Sequence, residues 1–485
     1  MKKELFKSIS SGYILFFLNS VVAIFLTPYI LKYVSKEEYG LYILCLDYLA
    51  WFSFLQFGTN KVIEVKAAHQ IAMKDYKALN ISFNSSFFFQ ALVALLIIPL
   101  FYFPLKANII SNEVSHLNTI IFLFSISAGI SVFRSLYSAV IIATKKIYLD
   151  NNIQIGLNIL NYILIIVLIP YIKVLGLAYI SLFVVALILI RSHFRIRQLV
   201  PTTKVSFEKF DLGELKDLLS TGIYFTMGSL ATILLVKIDS FIIGRELGLE
   251  TIASFYITVK IFILLQKIFN IFLNNFRPHI AQLFAEENFR LLNIIFNYLN
   301  SFCFATTLLI ASILMMINEW FVDIWVGSEF YLGSEFCILF GFAVLLEILT
   351  IPSRIALTSS LFDIKYQGYF RVFEAIFRIL GIFLLYSHYG LNIMPLMSII
   401  SSILFGHLYF HFKMLQYFNE KKIKNVNSNA YKLVLLTVII LILYANNLIT
   451  LFIYVLSIVS VIHLIFLLLK KDEIIKELHL IKLEL

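Results

Sequence analysis

The chain has 485 residues, of which 60% are hydrophobic and 14% charged, against about 45–50% and about 25% in an ordinary soluble domain. So few charges cannot cover a water-soluble fold of this length, and the mean hydropathy of +0.91 places the chain with polytopic α-helical membrane proteins. A net charge of +10, from 39 Lys and Arg against 29 Asp and Glu, would fit a nucleic-acid binder only if a polar domain carried it, and no stretch is polar enough to make one.

Lys2, Lys3 and Lys7 precede a first apolar run over residues 9–33, which is too long for the apolar core of a signal peptide and lacks a small-residue cleavage site. It reads as a retained spanning helix. Apolar runs between polar breaks then predict further spans at 40–60, 80–104, 118–142, 152–171, 175–190, 220–244, 252–275, 292–317, 334–357, 367–387, 392–412, 431–447 and 449–469, about fourteen transmembrane helices in all. An even number puts both termini on one side. With that side cytoplasmic, the cytoplasmic segments hold 26 Lys and Arg against 16 acids, and the outside loops 4 against 9, the bias expected of the positive-inside rule. The segment 319–335, with Glu319, Asp323, Glu329, Glu335 and no base, reads as outside.

The longest internal polar stretch, 191–219, carries Arg191, Arg195, Arg197, Lys204, Lys209 and Lys216. Phe207, Phe210, Leu215, Leu218 and Leu219 alternate with these charges in helical fashion, which predicts an amphipathic linker in the cytoplasmic interface. The tail 470–485 has the same character. Around the linker the halves show weak self-similarity at a spacing of about 214 residues. Ser10-Ser11-Gly12 answers Ser220-Thr221-Gly222, the run from Lys74 to Asn80 answers Glu287 to Asn293, and Gly176-Leu177 answers Gly390-Leu391. The expected organisation is an N-terminal six-helix bundle (1–190), the linker (191–219), a C-terminal six-helix bundle (220–415) and two extra helices with a tail (416–485). Bundles of even helix number share an orientation, so a pseudo-two-fold axis along the membrane normal relates them, as in transporters that rock two bundles around a central site by alternating access.

Eleven charges fall inside predicted spans: Asp47, Arg134, Lys237, Asp239, Lys260, Lys267, Glu347, Arg354, Arg371, Glu374 and Arg378. Each would cost about 2.5–3.5 kcal/mol at the centre of a lipid-facing helix, so most are expected to face a wet interior. Seven are basic. Lys260 and Lys267 share one helical face, and Arg371, Glu374 and Arg378 follow an i, i+3, i+7 pattern that lets Glu374 pair with Arg378. A cavity lined by surplus Lys and Arg suits a phosphate-bearing anion, with Arg134, Lys237, Lys260, Lys267, Arg371 and Arg378 as the substrate-binding candidates. Arg354, Arg371 and Lys260 lie near helix ends, where snorkelling is the alternative. Coupling to a proton or sodium gradient needs membrane carboxylates, and Asp47 and Asp239 are the candidates. Asp47 read as a buried structural acceptor, and Asp239 as a charge-balancing neighbour of Lys237, are the competing roles.

Cys45, Cys303 and Cys337 show no metal or disulfide spacing. His407 and His411 are four apart but lack a third ligand at motif spacing, and no phosphate-loop or hydrolase motif occurs. No cofactor is expected, and the chain reads as a non-enzyme. Trp320, Trp325, Phe330 and Tyr331 fit an interfacial aromatic belt or sugar stacking.

Several short stretches carry a resemblance: Glu38-Tyr39-Gly40-Leu41-Tyr42 entering span 2, Asp239-Ser240-Phe241-Ile242-Ile243-Gly244 ending span 7, Arg277-Pro278 after span 8, and Ile324-Trp325-Val326-Gly327 outside. In this order and placement the chain resembles Wzx-type O-antigen and capsular polysaccharide repeat-unit flippases of the multidrug/oligosaccharidyl-lipid/polysaccharide exporter superfamily. That resemblance implies a multi-pass protein of the bacterial inner membrane. Its implied substrate is an undecaprenyl-pyrophosphate-linked saccharide, flipped from the cytoplasmic to the outer leaflet for surface polysaccharide biosynthesis. Implied partners are the lipid bilayer, a polymerase and other assembly proteins, and no nucleic acid. The two extra helices would form a groove for the polyprenyl tail. Related lipid II flippases place arginine within span 1, where this chain has Asn19 and no internal arginine.

Two other readings compete. A drug/cation antiporter of the same superfamily would favour an acidic cavity and usually dispenses with the two extra helices. A polytopic O-antigen polymerase or glycosyltransferase would need a sizeable outside loop or a metal-binding acidic motif, whereas the longest outside loop spans about seventeen residues and no DxD occurs. The net charge divides accordingly: +10 cytoplasmic, −5 outside and +5 within the spans, the last including Lys32 and Lys432 near helix ends. Only the last portion bears on a cargo.

Overall fold

The computed structural model describes residues 2–108, 114–359 and 364–420 continuously, with isolated positions between 436 and 461. Predicted spans 13 and 14 and the tail 470–485 otherwise lie outside the described residues. The described chain is all-α, with short 3-10 and π turns and no strand. Among the described residues, eight helices are long and apolar enough to cross a membrane, nine when one bent pair is taken as a single span, and the protein is a multi-pass membrane protein. Side chains such as Phe25, Leu95, Phe103 and Leu384 are largely exposed, which water would penalise and lipid tails do not.

The chain packs as two units, Met1–Ala253 and Ser254–Leu485. The first comprises α1 (Lys2–Leu31), α2 (Lys36–Trp51), α3 (Thr59–Ala72), α4 (Tyr76–Asn108), α5 (Leu117–Ala143), α6 (Ile147–Leu199) and α7 (Leu212–Glu246), and α8 (Leu249–Asn274) leads into the second. The second adds α9 (Arg277–Ala285), α10 (Phe289–Val326), α11 (Ser334–Ser359), α12 (Ile364–Tyr389), α13 (Ile393–Ser401) and α14 (Leu408–Glu420). α7, which opens the second half of the sequence repeat, packs within the first unit against α2, α3 and α4.

Local chemistry explains several boundaries. Ser35 and Glu38 close a capping box at the start of α2: Glu38 N–H donates to Ser35 Oγ at 3.2 Å and Ser35 N–H to Glu38 Oε2 at 3.0 Å. The sequence pattern ends span 2 near residue 60, but the helix instead breaks and resumes. A 3-10 turn (Phe52–Gln56) leads to Phe57 and Gly58 at φ 46° and 62°, and α3 departs at a bend of 57°. Left-handed backbone at two consecutive residues ends an α-helix, and glycine makes the second inexpensive.

Predicted spans 5 and 6 are continuous in hydrogen-bonding terms as α6, a 53-residue segment whose one non-helical residue is Lys173, at φ 51° and ψ −138°. Residues eight apart on a straight helix are about 12 Å apart along the axis. A Cβ on Gly176 would nonetheless lie 3.9 Å from the Leu168 carbonyl oxygen. The chain therefore folds back at Lys173, and α6 is two arms. Likewise α12 turns through Gly390–Asn392 into α13, where Met397 presses on Gly381.

Inside the first unit, Asn158 Nδ2 and Tyr162 Oη of α6 both donate to Asn19 Oδ1 of α1, at 2.9 and 2.8 Å. Polar ties of this kind hold helices together where lipid removes the hydrophobic drive between them. A core of Val62, Phe83, Leu136, Tyr137, Ile196 and Leu218 joins α3 to α7 at one end of the unit.

The 191–219 stretch does not form the expected interfacial helix. α6 runs on to Leu199, residues 200–206 are non-helical apart from a turn at 201–202, a 3-10 turn covers Phe207–Lys209, and α7 starts at Leu212. Pro201 cannot continue α6. α4 then supplies the partners that a helix would have supplied itself. Asn80 accepts from Lys204 N–H at 3.0 Å and donates to the Thr202 carbonyl at 3.0 Å. One turn on, Asn84 accepts from Ser206 N–H at 2.8 Å and donates to the Lys204 carbonyl at 2.9 Å. Ser85 exchanges the same pair of bonds with the Asp211 backbone.

Candidate functional site

Among the described residues, candidate charges inside the predicted spans gather at three places, each within one unit. In the first unit, α2 and α7 carry two of the four stretches singled out in the sequence, and the two helices pack against each other. A Cβ on Gly40 would collide with the Leu249 carbonyl, and one on Gly244 would lie 2.9 Å from Ile252 Cδ1 and 3.5 Å from Leu44 Cδ2. Close approach sets Asp47 against α7, where one carboxylate oxygen pairs with Lys237 Nζ and the other accepts from Ser240 Oγ. Asp47 and Asp239 are 5% and 4% exposed. Asp47 thus has two donors 190 residues away in sequence, so two of the candidate residues form one ion pair.

Arg134 occupies a second place, on α5. Its Nε is buried with no hydrogen-bond partner, and Asp150 is the acid whose charge acts on it. The polar pattern assigns Asp150 to a loop. It lies in the first turn of α6, 4% exposed, where Oδ2 accepts from Ser138 Oγ at 2.9 Å and Gln154 Nε2 at 2.8 Å.

The third place is in the second unit. Glu347 Oε1 of α11 accepts from Arg354 Nη1 and from Arg371 Nη2 of α12, each at 2.9 Å, and Arg371 Nη1 donates to Glu374 Oε2 at 2.7 Å. The neighbour that Glu374 takes is Arg371, three residues before it. Arg378 instead donates from Nε to Ser398 Oγ of α13 at 2.7 Å. Two acids and two guanidiniums offset one another, which is what permits ions in so enclosed a place. His407 Nε2 meets the Leu346 carbonyl at 2.9 Å, a helix-to-helix tie. It belongs to a π-helical turn, Ser402–His407.

On α8, Lys260 is nearly buried with its ammonium 4.7 Å from the centre of the Tyr256 ring, whereas Lys267 is exposed. Among the described residues no group of three or more His, Cys, Asp or Glu is placed to hold a metal ion. Sequence reasoning missed Asp150, Ser240, Ser398 and the pivotal position of Glu347. Ser240 lies inside the quoted span-7 motif. Serines in an apolar run carry no charge signal, so nothing marks the other hydroxyls.

No known family profile matches the sequence, and no curated protein matches it. Solved structures do match. An inward-facing multidrug-resistance MATE family transporter of the MOP superfamily superposes with a TM-score of 0.64 at 15% identity, covering 83% of this chain and 94% of that one. A Vibrio cholerae MATE transporter gives 0.56 at 13% identity, covering 88% and 98%. A MOP superfamily transporter from Pyrococcus furiosus, described as having a binding pocket of reverse polarity that suggests a different function, gives 0.53 at 15% identity, covering 84% and 95%. This helical chain accordingly has the fold of the MATE transporters.

Proposed function

We propose that the protein is a transporter that flips undecaprenyl-pyrophosphate-linked oligosaccharide units from the cytoplasmic to the outer leaflet of a bacterial inner membrane, for O-antigen or capsule biosynthesis. The observation that carries this reading is the charge balance inside the spans, seven bases against four acids. An exporter of cationic drugs gains nothing from such a surplus, while a pyrophosphate does: Arg and Lys bind phosphate oxygens, and low dielectric strengthens the attraction. The fold accommodates pockets of opposite polarity, as the description of the Pyrococcus furiosus transporter implies. The drug antiporter remains the second reading because a structurally similar MATE protein is described as a multidrug-resistance transporter.

Proteoliposomes containing the full chain separate the two. With a polyprenyl-pyrophosphate-linked saccharide in the inner leaflet, the proposal expects protein-dependent exposure to an outside glycosidase. It also expects loss of that exposure on joint substitution of Arg134 and Lys267 by alanine in a stably inserted protein. Efflux of a cationic dye with no lipid flipping would overturn the proposal in favour of the antiporter. The same assay with and without a proton or sodium gradient tests coupling at Asp47 or Asp239, and deletion from residue 431 onward tests the tail groove.

A further inference from the structure

The second unit holds a charge arrangement that the surplus alone does not explain. Glu347 Oε1 serves two guanidiniums, those of Arg354 and Arg371, and Arg371 is divided between Glu347 and Glu374. The two carboxylates occupy arginines suited to a phosphate, since each guanidinium carries five N–H donors in a fork that matches phosphate oxygens. We propose that this cluster is a proton-linked anion site: a phosphate group takes Arg354 and Arg371 from the glutamates, and Glu374 takes up one proton as it loses its guanidinium. The inference rests on the reading of the cargo as a pyrophosphate and assigns the place and the proton.

Burial distinguishes the two acids. Glu347 leaves 23% of its side chain exposed, whereas Glu374 leaves 3%. A carboxylate that enclosed cannot stay ionised beside a newly arrived anion without a partner, because an isolated buried charge is strongly disfavoured. Protonation is the cheaper outcome. It forms one O–H bond on a Glu374 oxygen and breaks one O–H bond of a solvent hydronium ion, and no other covalent bond changes.

The π-helical turn supplies the second observation. A Cβ on Gly406 would lie 3.8 Å from Glu374 Oε1 and 3.4 Å from Ser402 Oγ. The Ser402 hydroxyl is itself buried without a hydrogen-bond partner, its residue 4% exposed. A π turn disturbs the regular backbone ladder and recurs at functional sites. Here it places a glycine instead of a side chain beside the second carboxylate oxygen, with a buried, unsatisfied hydroxyl on the same turn.

The groups around Glu374 favour a proton over a metal cation. α11 brings Glu347 and Arg354, and α12 brings Arg371 and Arg378. The π turn brings His407, engaged with the Leu346 carbonyl, while α13 and the 390–392 turn bring no titratable side chain. Three guanidiniums oppose a sodium ion, which also needs a shell of oxygen ligands, whereas a proton needs one carboxylate oxygen. The cargo anion and a proton therefore bind together, and the loaded site carries one negative charge fewer than the cargo alone.

The test uses the full chain in phosphatidylcholine nanodiscs with inorganic pyrophosphate as probe, by calorimetry in buffers of different ionisation enthalpy. The proposal expects the Kd to fall as pH falls, by up to tenfold per pH unit beyond the ligand's own ionisation. It expects about one more proton taken up by the wild type than by Glu374→Gln, and loss of binding in Arg371→Gln. Equal proton uptake in wild type and Glu374→Gln overturns the exchange while leaving the anionic cargo standing. A wild type whose pH dependence is that of free pyrophosphate overturns it without any variant. A wild type that binds no pyrophosphate at any pH overturns both the exchange and the anionic-cargo reading.

Discussion

Gly58 of the α2–α3 break and Gly222 of α7 lie against each other so closely that neither has room for a side chain. A Cβ on Gly58 would run into the Gly222 carbonyl, and a Cβ on Gly222 into the Phe57 carbonyl. The contact involves backbone on both sides, so no rotamer change can relieve a substitution. Overpacking costs about 1–3 kcal/mol, and a left-handed alanine adds about 1–2 kcal/mol. Gly58→Ala, with φ 62°, is therefore expected to lower the thermal stability of the detergent-solubilised protein more than Gly222→Ala. Gly156→Ala, whose Cβ would meet nothing within 4 Å, is expected to be neutral or to stabilise α6 by up to about 1 kcal/mol through helix propensity. Equal melting shifts in all three would refute the close crossing.

The ion pair of Asp47 and Lys237 yields a cycle. Removing one partner of a buried pair costs about 3–5 kcal/mol and of an exposed pair about 0–1. Asp47 is 8% and Lys237 31% exposed at the side chain, so about 1–3 kcal/mol is expected for Asp47→Asn or Lys237→Met alone. The double variant should cost less than the sum of the singles. Melting temperatures that add without interaction would show that the pair does not couple α2 to α7.

What the sequence reveals follows from the signal each feature leaves. Apolar runs mark membrane helices strongly, so each of the twelve spans predicted before residue 416 has a helical counterpart, and the reversal at Lys173 lies in the break predicted between residues 171 and 175. The α2–α3 bend was missed because α3 is polar enough to pass for a loop. The linker was misread because its spacing does suit a helix, and only its tertiary partners, Asn80 and Asn84 about 120 residues away, reveal it as a clamped strap. In the second unit the helical spacing of Arg371, Glu374 and Arg378 is real. The three-residue spacing selects the pair, Arg371 with Glu374, and the third side chain finds Ser398, which an apolar run conceals.

That strap makes a residue-specific prediction. The Lys204 amide is held by Asn80 and the Ser206 amide by Asn84, so Asn80→Ala should speed hydrogen exchange at Lys204 and Asn84→Ala at Ser206. A net hydrogen bond of about 0.5–1.5 kcal/mol corresponds to an acceleration of about 2- to 10-fold. Exchange that rises uniformly over 200–211 in either variant would indicate one cooperative unit instead of separate clamps.

Topology can be tested against a quiet background. Cys45, Cys303 and Cys337 are each 0% exposed, so a membrane-impermeant maleimide should leave the unsubstituted protein unlabelled in intact cells. Glu208 and Ser328 are exposed, the former in the strap that the positive-inside bias assigns to the cytoplasm and the latter in the acidic connection between α10 and α11. Ser328→Cys is expected to label from outside, and Glu208→Cys only after the membrane is opened. The converse pattern would invert the orientation and reverse the direction of the proposed flipping, because the strongly basic segments would then face away from the leaflet in which the cargo is made.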